Sequence, residues 1–338
     1  SKFSLFADFD AVELAEILFL ARPISFTPGT CIFRQGDPSD GMYLVRKGSV
    51  RICARLLGDA EVELGRVGAG ELIGEVSLVD RGVRTATASV LEQTEGYFFS
   101  TSNFEVLRND LKSSAYKAMN SITRTLCERI RRQVSQIGNT GPGSWPSMTL
   151  AQAHFRNSGG ADESDYRSTK TVDRHVLGAI PLFQGFREDE LELFLAPLKR
   201  LDATRGTELF AQGDDAERCY LVVRGALRLG IASGGVDEQL MILAPGQIAG
   251  EVALMDDQEH PWSCAVREGA ILLEMSRDQF KGLRHEGNPV AFKFFDRVNQ
   301  SLVIKLRKTI RHITRIAAQG RLSTEEALGA EPTPAASG

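Results

Sequence analysis

Residues that staple or catalyse are scarce in this chain. Five cysteines and five histidines occur in 338 residues. Cys31, Cys53, Cys127, Cys219 and Cys264 are odd in number, scattered through apolar segments, and contain no C-x-x-C pair. They read as buried thiols, and neither a disulfide framework nor a structural zinc site is expected. His154, His175, His260, His285 and His312 make no ligand spacing with them or with one another, so no metal site is expected. No run approaches the roughly eighteen uninterrupted apolar residues of a membrane span. The longest candidate, Ala11 to Ala21, carries Glu13 and Glu16. A basic start followed by an apolar run and a cleavage site is also missing, which makes a cytoplasmic location the expectation. A surplus of positive charge is absent too. The formal net charge of -4 argues against a chain whose main task is to coat nucleic acid. No Walker loop, kinase signature or G-x-S-x-G is found, and no nucleophile stands beside a base, so no catalytic residue is expected and the chain reads as a non-enzyme.

What is present is a repeat. Phe33-Arg34-Gln35-Gly36-Asp37 returns as Phe210-Ala211-Gln212-Gly213-Asp214, and Tyr43-Leu44-Val45 as Tyr220-Leu221-Val222. After the loss of one residue in a loop, Gly70-Glu71-Leu72-Ile73-Gly74-Glu75-Val76 matches Gly246-Gln247-Ile248-Ala249-Gly250-Glu251-Val252. Chance similarity of apolar pattern would not keep glycines and glutamates in register over such a distance.

Each copy has one anatomy. A short helix, Val12 to Ala21 or Glu188 to Leu198, precedes short alternating segments such as Met42 to Val45 and Val50 to Cys53, divided by Gly-, Asp- and Pro-bearing turns. That pattern predicts an antiparallel barrel or jelly roll, mainly β with flanking helices. A long helix closes each copy. Leu126, Ile130, Val134 and Ile137 in the first, and Leu302, Leu306, Ile310 and Ile313 in the second, form single apolar stripes that must be buried against something. The expected organisation is a first domain over 1–137, a linker over 138–170 with one helical turn around Leu150 to Phe155, a second domain over 171–316, and a mobile tail over 317–338.

The segment Gly74-Glu75-Val76-Ser77-Leu78-Val79-Asp80-Arg81-Gly82-Val83-Arg84-Thr85-Ala86-Thr87-Ala88 carries the chemistry. A glycine before a helical turn lets backbone N–H groups point outward together, which suits an anion. Arg84 adds a permanent charge with a planar fork of donors. Glu75 can accept a hydrogen bond from a sugar hydroxyl. Glycine turn, acid and arginine in one loop fit a nucleotide better than a bare phosphate. Gly68, Gly70 and Gly74 have the wrong spacing for a dinucleotide loop.

This stretch resembles the phosphate-binding cassette of cyclic nucleotide-binding domains, the module of catabolite activator protein and of protein kinase A regulatory subunits. The signature of Gly-Glu, a short apolar helix, and Arg followed by two small residues is complete here. The resemblance implies two tandem β-jelly-roll domains of that family. It places a cyclic phosphate (cAMP or cGMP) on Arg84, the ribose hydroxyl on Glu75, and backbone donors near Val76, Ser77 and Thr85, with Gly74 as the turn. Thr123, Arg124 and Thr125 on the closing helix are its candidates for a base-contacting lid. The choice between the two bases stays open, with a lean to cAMP.

The second copy departs where it matters. Gly250 and Glu251 are kept, but His260 stands where Arg84 stands and Pro261 where Thr85 stands. A histidine is mostly neutral at pH 7 and a proline has no N–H, so the fixed cation and one donor are lost. The second site is expected to be degenerate. The leading expectation is therefore a non-catalytic regulatory or adaptor protein that binds cyclic nucleotide in its first domain and signals through the closing helix to a protein partner. The other is a constitutive scaffold that keeps the fold and binds weakly or not at all. Too little chain follows the last helix for a DNA-binding winged helix, so no direct DNA contact is expected. Cations on the closing helices (Arg124, Arg129, Arg131, Arg132; Lys305, Arg307, Lys308, Arg311, Arg315) read as a solvated face or as a surface for an acidic partner. The helices Leu126–Ile137 and Leu302–Ile313 could pair across a homodimer or within the chain.

Overall fold

The computed structural model describes residues 8–56, 60–109, 113–139, 166–167, 177, 180–233, 236–283 and 289–329. The helical turn expected around Leu150 to Phe155 lies outside them. The first copy opens with α1 (Ala11–Phe19), which Asp10 caps by accepting from the Val12 and Glu13 amides while Glu13 bonds back to the Asp10 amide. The helix ends two residues earlier than expected, because Pro23 favours extended chain before it and β1 (Ala21–Phe26) begins at once. The strands β2 (Cys31–Phe33), β3 (Gly41–Lys47), β4 (Val50–Arg55), β5 (Glu61–Val67) and β6 (Leu72–Ile73) follow. Next come the short helix α2 (Glu75–Asp80), β7 (Thr87–Val90), β8 (Thr94–Ser100), α3 (Thr101–Asn109) and the closing helix α4 (Ser113–Asn139).

Two four-stranded antiparallel sheets result, ordered β1-β8-β3-β6 and β2-β7-β4-β5. Val45 and Ile73 from one sheet pack with Val50, Val67 and Ala88 from the other, which makes the jelly-roll interior.

The second copy repeats this with longer strands. After β9 (Tyr166–Arg167), a 3-10 turn (Pro181–Phe183) and α5 (Glu188–Leu195) come β10 (Lys199–Ala203), β11 (Glu208–Phe210), β12 (Arg218–Ser233), β13 (Val236–Leu243) and β14 (Ile248–Ala249). The cassette helix α6 (Glu251–Asp256), β15 (Ser263–Ser276), α7 (Arg277–Gly282) and the closing helix α8 (Pro289–Gly329) complete it. Because β12 and β15 run without a break, the strands join in one sheet, β13-β12-β15-β10-β9, with β11 and β14 attached. Tyr166 and Arg167, expected in the linker, pair with Leu201 and Arg200 of β10. Where residues 317–338 were expected as a mobile tail, α8 continues helical to Gly329. Ala317, Ala318, Gln319, Arg321 and Leu322 are strong helix formers, and the first proline after them is Pro332.

The two apolar stripes bury against one another and against both copies. Leu126, Ile130, Val134, Ile137, Leu302, Leu306, Ile310 and Ile313 belong to one continuous cluster of buried side chains. The α4–α8 contact is nearly symmetric. Thr123 is hydrogen-bonded to Asn299 at 2.5 Å and Gln133 to Thr309, each pair being 176 positions apart, the repeat offset itself. Arg131 of α4 reaches Asp256 of the second copy (2.5 and 2.8 Å), and Arg307 of α8 reaches Asp80 of the first (2.9 Å). Residues that correspond in the two copies thus exchange places across the contact, as in an isologous dimer interface. These cations correct the expectation of a solvated face. Arg131 and Arg307 bridge the copies, Arg129 and Lys305 turn onto the cassette glutamates, and Lys308 donates to the Ile242 carbonyl at 2.8 Å. Arg124 and Arg311 are exposed as expected.

Candidate ligand pocket

Gly74 precedes α2 with φ +82°, a left-handed conformation that a side chain would strain. A Cβ there would also lie 2.2 Å from Arg84 Nη1. The missing side chain is therefore the room in which the guanidinium sits. Arg84 Nη1 donates to the Gly74 carbonyl (3.0 Å), Nη2 to Asp40 Oδ1 (2.7 Å), and the guanidinium carbon lies 4.2 Å from the centre of the Phe33 ring. Its side chain is 1% exposed. The repeated Phe-x-Gln-Gly-Asp motif braces this loop, since the Arg84 amide donates to the Asp37 carbonyl and the Gly36 amide to the Arg84 carbonyl, each at 2.9 Å.

Glu75 is fully buried. Arg129 Nη1 stands 2.8 Å from its Oε1, yet neither carboxylate oxygen accepts a hydrogen bond from another residue. Burial pushes its pKa up, and Arg129 and Arg84 oppose that rise. Arg129 also donates to the Leu72 carbonyl, tying α4 to β6.

A cavity opens beside these groups. The cassette lines it with Gly74, Val76, Arg84, Thr85 and Ala86, the jelly roll with Phe33, Ile52, Leu64 and Val67, and α4 with Arg129, Arg132 and Gln133. Leu306 and Ile310 of α8 complete the lining from the second copy. About 620 Å³ of empty space, part of it open to solvent, lies among these residues. Of the six residues expected at the site, Gly74, Val76, Arg84 and Thr85 line the cavity, and Glu75 is buried next to Gly74 without lining it. Ser77 lies in α2, and its side chain is outside the described residues.

The expected lid is corrected, since Thr123, Arg124 and Thr125 do not line the cavity. Thr123 faces Asn299, Thr125 donates to the Ser121 carbonyl (3.1 Å), and Arg124 pairs with Asp8 (3.3 Å). Arg129, Arg132 and Gln133 stand there instead, one to two turns further along α4. Their signal was present in the repeat, because Arg129 aligns with Lys305 and each meets the glutamate of its own cassette.

In the second copy the backbone frame is the same. The His260 amide donates to the Asp214 carbonyl and the Gly213 amide to the His260 carbonyl, each at 2.9 Å. His260 stacks on Phe210 at 3.7 Å between centroids, 10° from parallel, as Arg84 covers Phe33. Burial lowers its pKa to about 4, so it is neutral at pH 7. Trp262, 1% exposed, stands where the first copy has the small cavity-lining Ala86, and Pro261 beside it is also buried. Lys305 lies buried with its ammonium on Glu251, the Ile248 carbonyl (2.6 Å) and Ser301 Oγ (3.1 Å). Among the described residues, no helix is long and apolar enough to cross a membrane.

A family model, the cyclic nucleotide-binding domain, matches residues 23–110 and 200–286. The cyclic AMP receptor protein of Thermus thermophilus is 35% identical over 104 residues, 30% of this chain and 48% of that protein. A lysophospholipase of Aspergillus fumigatus is 26% identical over 172 residues, 51% of this chain and 10% of that protein. The chain thus spans about half the length of the first relative and about a tenth of the second. Among solved structures, the regulatory domain of Toxoplasma gondii PKA with cAMP is 16% identical, covers 85% of this chain and 88% of that one, and superposes with a TM-score of 0.30.

Proposed function

This chain belongs to the cyclic nucleotide-binding domain family, with two copies of the domain, and from that premise we propose that it is a non-catalytic regulatory protein that takes cAMP or cGMP in its first copy alone. The observation that carries this reading is the contrast at one backbone position. Arg84 brings a buried guanidinium to a lined cavity, while His260 brings a neutral ring to the matching position of the second copy, where buried Trp262 aligns with the cavity-lining Ala86. A cyclic phosphate would exchange with Asp40 or the Gly74 carbonyl for the Arg84 fork, joined by backbone N–H groups near Val76, Ser77 and Thr85. Glu75, buried beside Gly74 and facing Arg129, would have to turn toward the cavity to accept from a ribose hydroxyl. The likeness to the cyclic AMP receptor protein of Thermus favours cAMP. Occupancy would act on α4 and α8, and through them on a protein partner.

Titration calorimetry tests this. One nucleotide is expected to bind per chain, and Arg84→Ala to weaken it by about two orders of magnitude, the worth of a charge-assisted hydrogen bond. Two equivalent sites would overturn the restriction to the first copy. No heat from either nucleotide would favour the constitutive scaffold.

A further inference from the structure

Helix α1 turns its charge inward and part of its apolar surface outward. Glu13 accepts from Ser113 Oγ (2.7 Å) and Lys117 Nζ (2.8 Å), and Glu16 from Ser114 Oγ (2.8 Å), all on α4. Every exposed residue of α1 is apolar: Ala11, Val12, Ala15, Leu18 and Phe19. They form one stripe at helical spacing, with Val12 71% and Phe19 89% exposed. At the end of α1 the Leu20 carbonyl accepts from Asn103 of α3 at 3.0 Å, and Val106, one turn further along α3, is 58% exposed.

The second copy builds the same frame without this stripe. Its inward acid is Glu190, on Lys293 at 2.6 Å, and Gln279 donates to the Pro197 carbonyl as Asn103 does to that of Leu20. Outward, Glu188, Asp189, Glu192 and Ala196 stand where Ala11, Val12, Ala15 and Phe19 stand, and Gly282 where Val106 stands. Docking the helix on its own domain therefore does not require the apolar face. A contiguous exposed apolar patch of this kind marks a contact with another surface.

Charge and size select the occupant. Residues 8–21 hold four acids, Asp8, Asp10, Glu13 and Glu16, and no cation, and the next charged residue is the exposed Arg22 just past the helix. Two α1 helices laid antiparallel bring Asp10 of one chain to Arg22 of the other, once at each end of the contact. Turned about an axis beside Ala15, Phe19 of one chain lies over Val12 of the other, and the small Ala15 sits where the helices come closest. A parallel pairing would instead set acid on acid.

We propose that the outward face of α1 is the contact between two copies of this chain, an isologous antiparallel helix pair. The stripe offers roughly 400 Å² of apolar surface per chain, about half of a standard interface, so the dimer is weak and depends on concentration. The pairing of α4 with α8 is satisfied within each chain and is left untouched. The inference does not rest on the ligand reading.

Sedimentation velocity of the full chain from about 5 to 500 μM is the test. The weight-average mass is expected to rise from that of one chain toward that of two. Phe19→Glu and Val12→Glu, both at exposed positions, should hold it at one chain across the range with an unchanged circular dichroism spectrum. Arg22→Glu, which sets an acid against Asp10, should weaken association about tenfold. Leu193→Glu, on the exposed face of α5, should leave association as it is. Should the glutamate variants not fold, Phe19→Ala, which installs the residue of the second copy, is expected to weaken association about tenfold. A one-chain mass at every concentration of the unaltered chain overturns the inference, the face then serving a different partner. Association that survives Phe19→Glu, Val12→Glu and Phe19→Ala lies elsewhere on the chain and overturns it equally. If Arg22→Glu associates as the unaltered chain does, the antiparallel arrangement falls.

Discussion

At the position of His260 one substitution changes both chemistry and pH response. Burial lowers the imidazole pKa to about 4, against an unfolded value of about 6.5. Between those values the unfolded chain binds more protons than the folded one, so stability rises with pH across the window. The contribution is fully present above about pH 6.5 and is lost as pH falls toward 4, with a size on the order of 3 kcal/mol. His260→Phe keeps a ring on Phe210 and removes the proton. Urea denaturation at several pH values from 7 down to about 4.5 should show the unaltered chain losing more stability on acidification than this variant. Parallel pH profiles would refute the assignment. The exchange of Arg84 for His260 was legible from alignment of the copies alone. The replacement of Ala86 by Trp262 was visible there too, yet its consequence was not, because a residue's size signals a filled space only once its neighbours are known.

Among the elements, the closing helices hold what the sequence pattern could not separate. The spacing of Leu302, Leu306, Ile310 and Ile313 marks the buried stripe, and the structure buries it. It says nothing of where Lys305 points, since a lysine on a helix is written the same way whether it meets solvent or a carboxylate. Lys305 and Glu251 are both buried as a close ion pair. Such pairs add little over apolar replacements, but removing one partner strands the other charge. Lys305→Met should therefore cost about 3–5 kcal/mol in chemical denaturation, and the double variant Lys305→Met with Glu251→Gln should recover most of it. Equal destabilisation by the single and double changes would show that packing, not charge, is at stake. The α8 extension past residue 316 escaped the reading for a different reason. Its composition favours helix without an apolar stripe to announce one.

For the whole molecule, the two jelly rolls were legible as a repeat, whereas their mutual contact was not. Pairs such as Thr123 with Asn299 and Arg307 with Asp80 depend on which faces two distant helices turn toward each other. Because one buried cluster runs through both copies and both closing helices, calorimetric unfolding is expected as a single transition. Saturation with nucleotide at about a hundred times Kd should stabilise that transition as a unit, by about 2.7 kcal/mol. Two separate transitions, with only one responding to ligand, would show instead that the copies unfold independently.

The pairing of α4 with α8 inside one chain bears on dilution. Were single copies to associate through such helices, a pocket closed by the neighbour's helix would open as the protein became scarce, and its affinity would drift with expression level. Here Leu306 and Ile310 are tethered to the pocket that they line, so the local concentration of the closing helix is set by chain connectivity. The nucleotide affinity of this protein should be the same at nanomolar and micromolar protein, which would let it report ligand level independently of its own abundance.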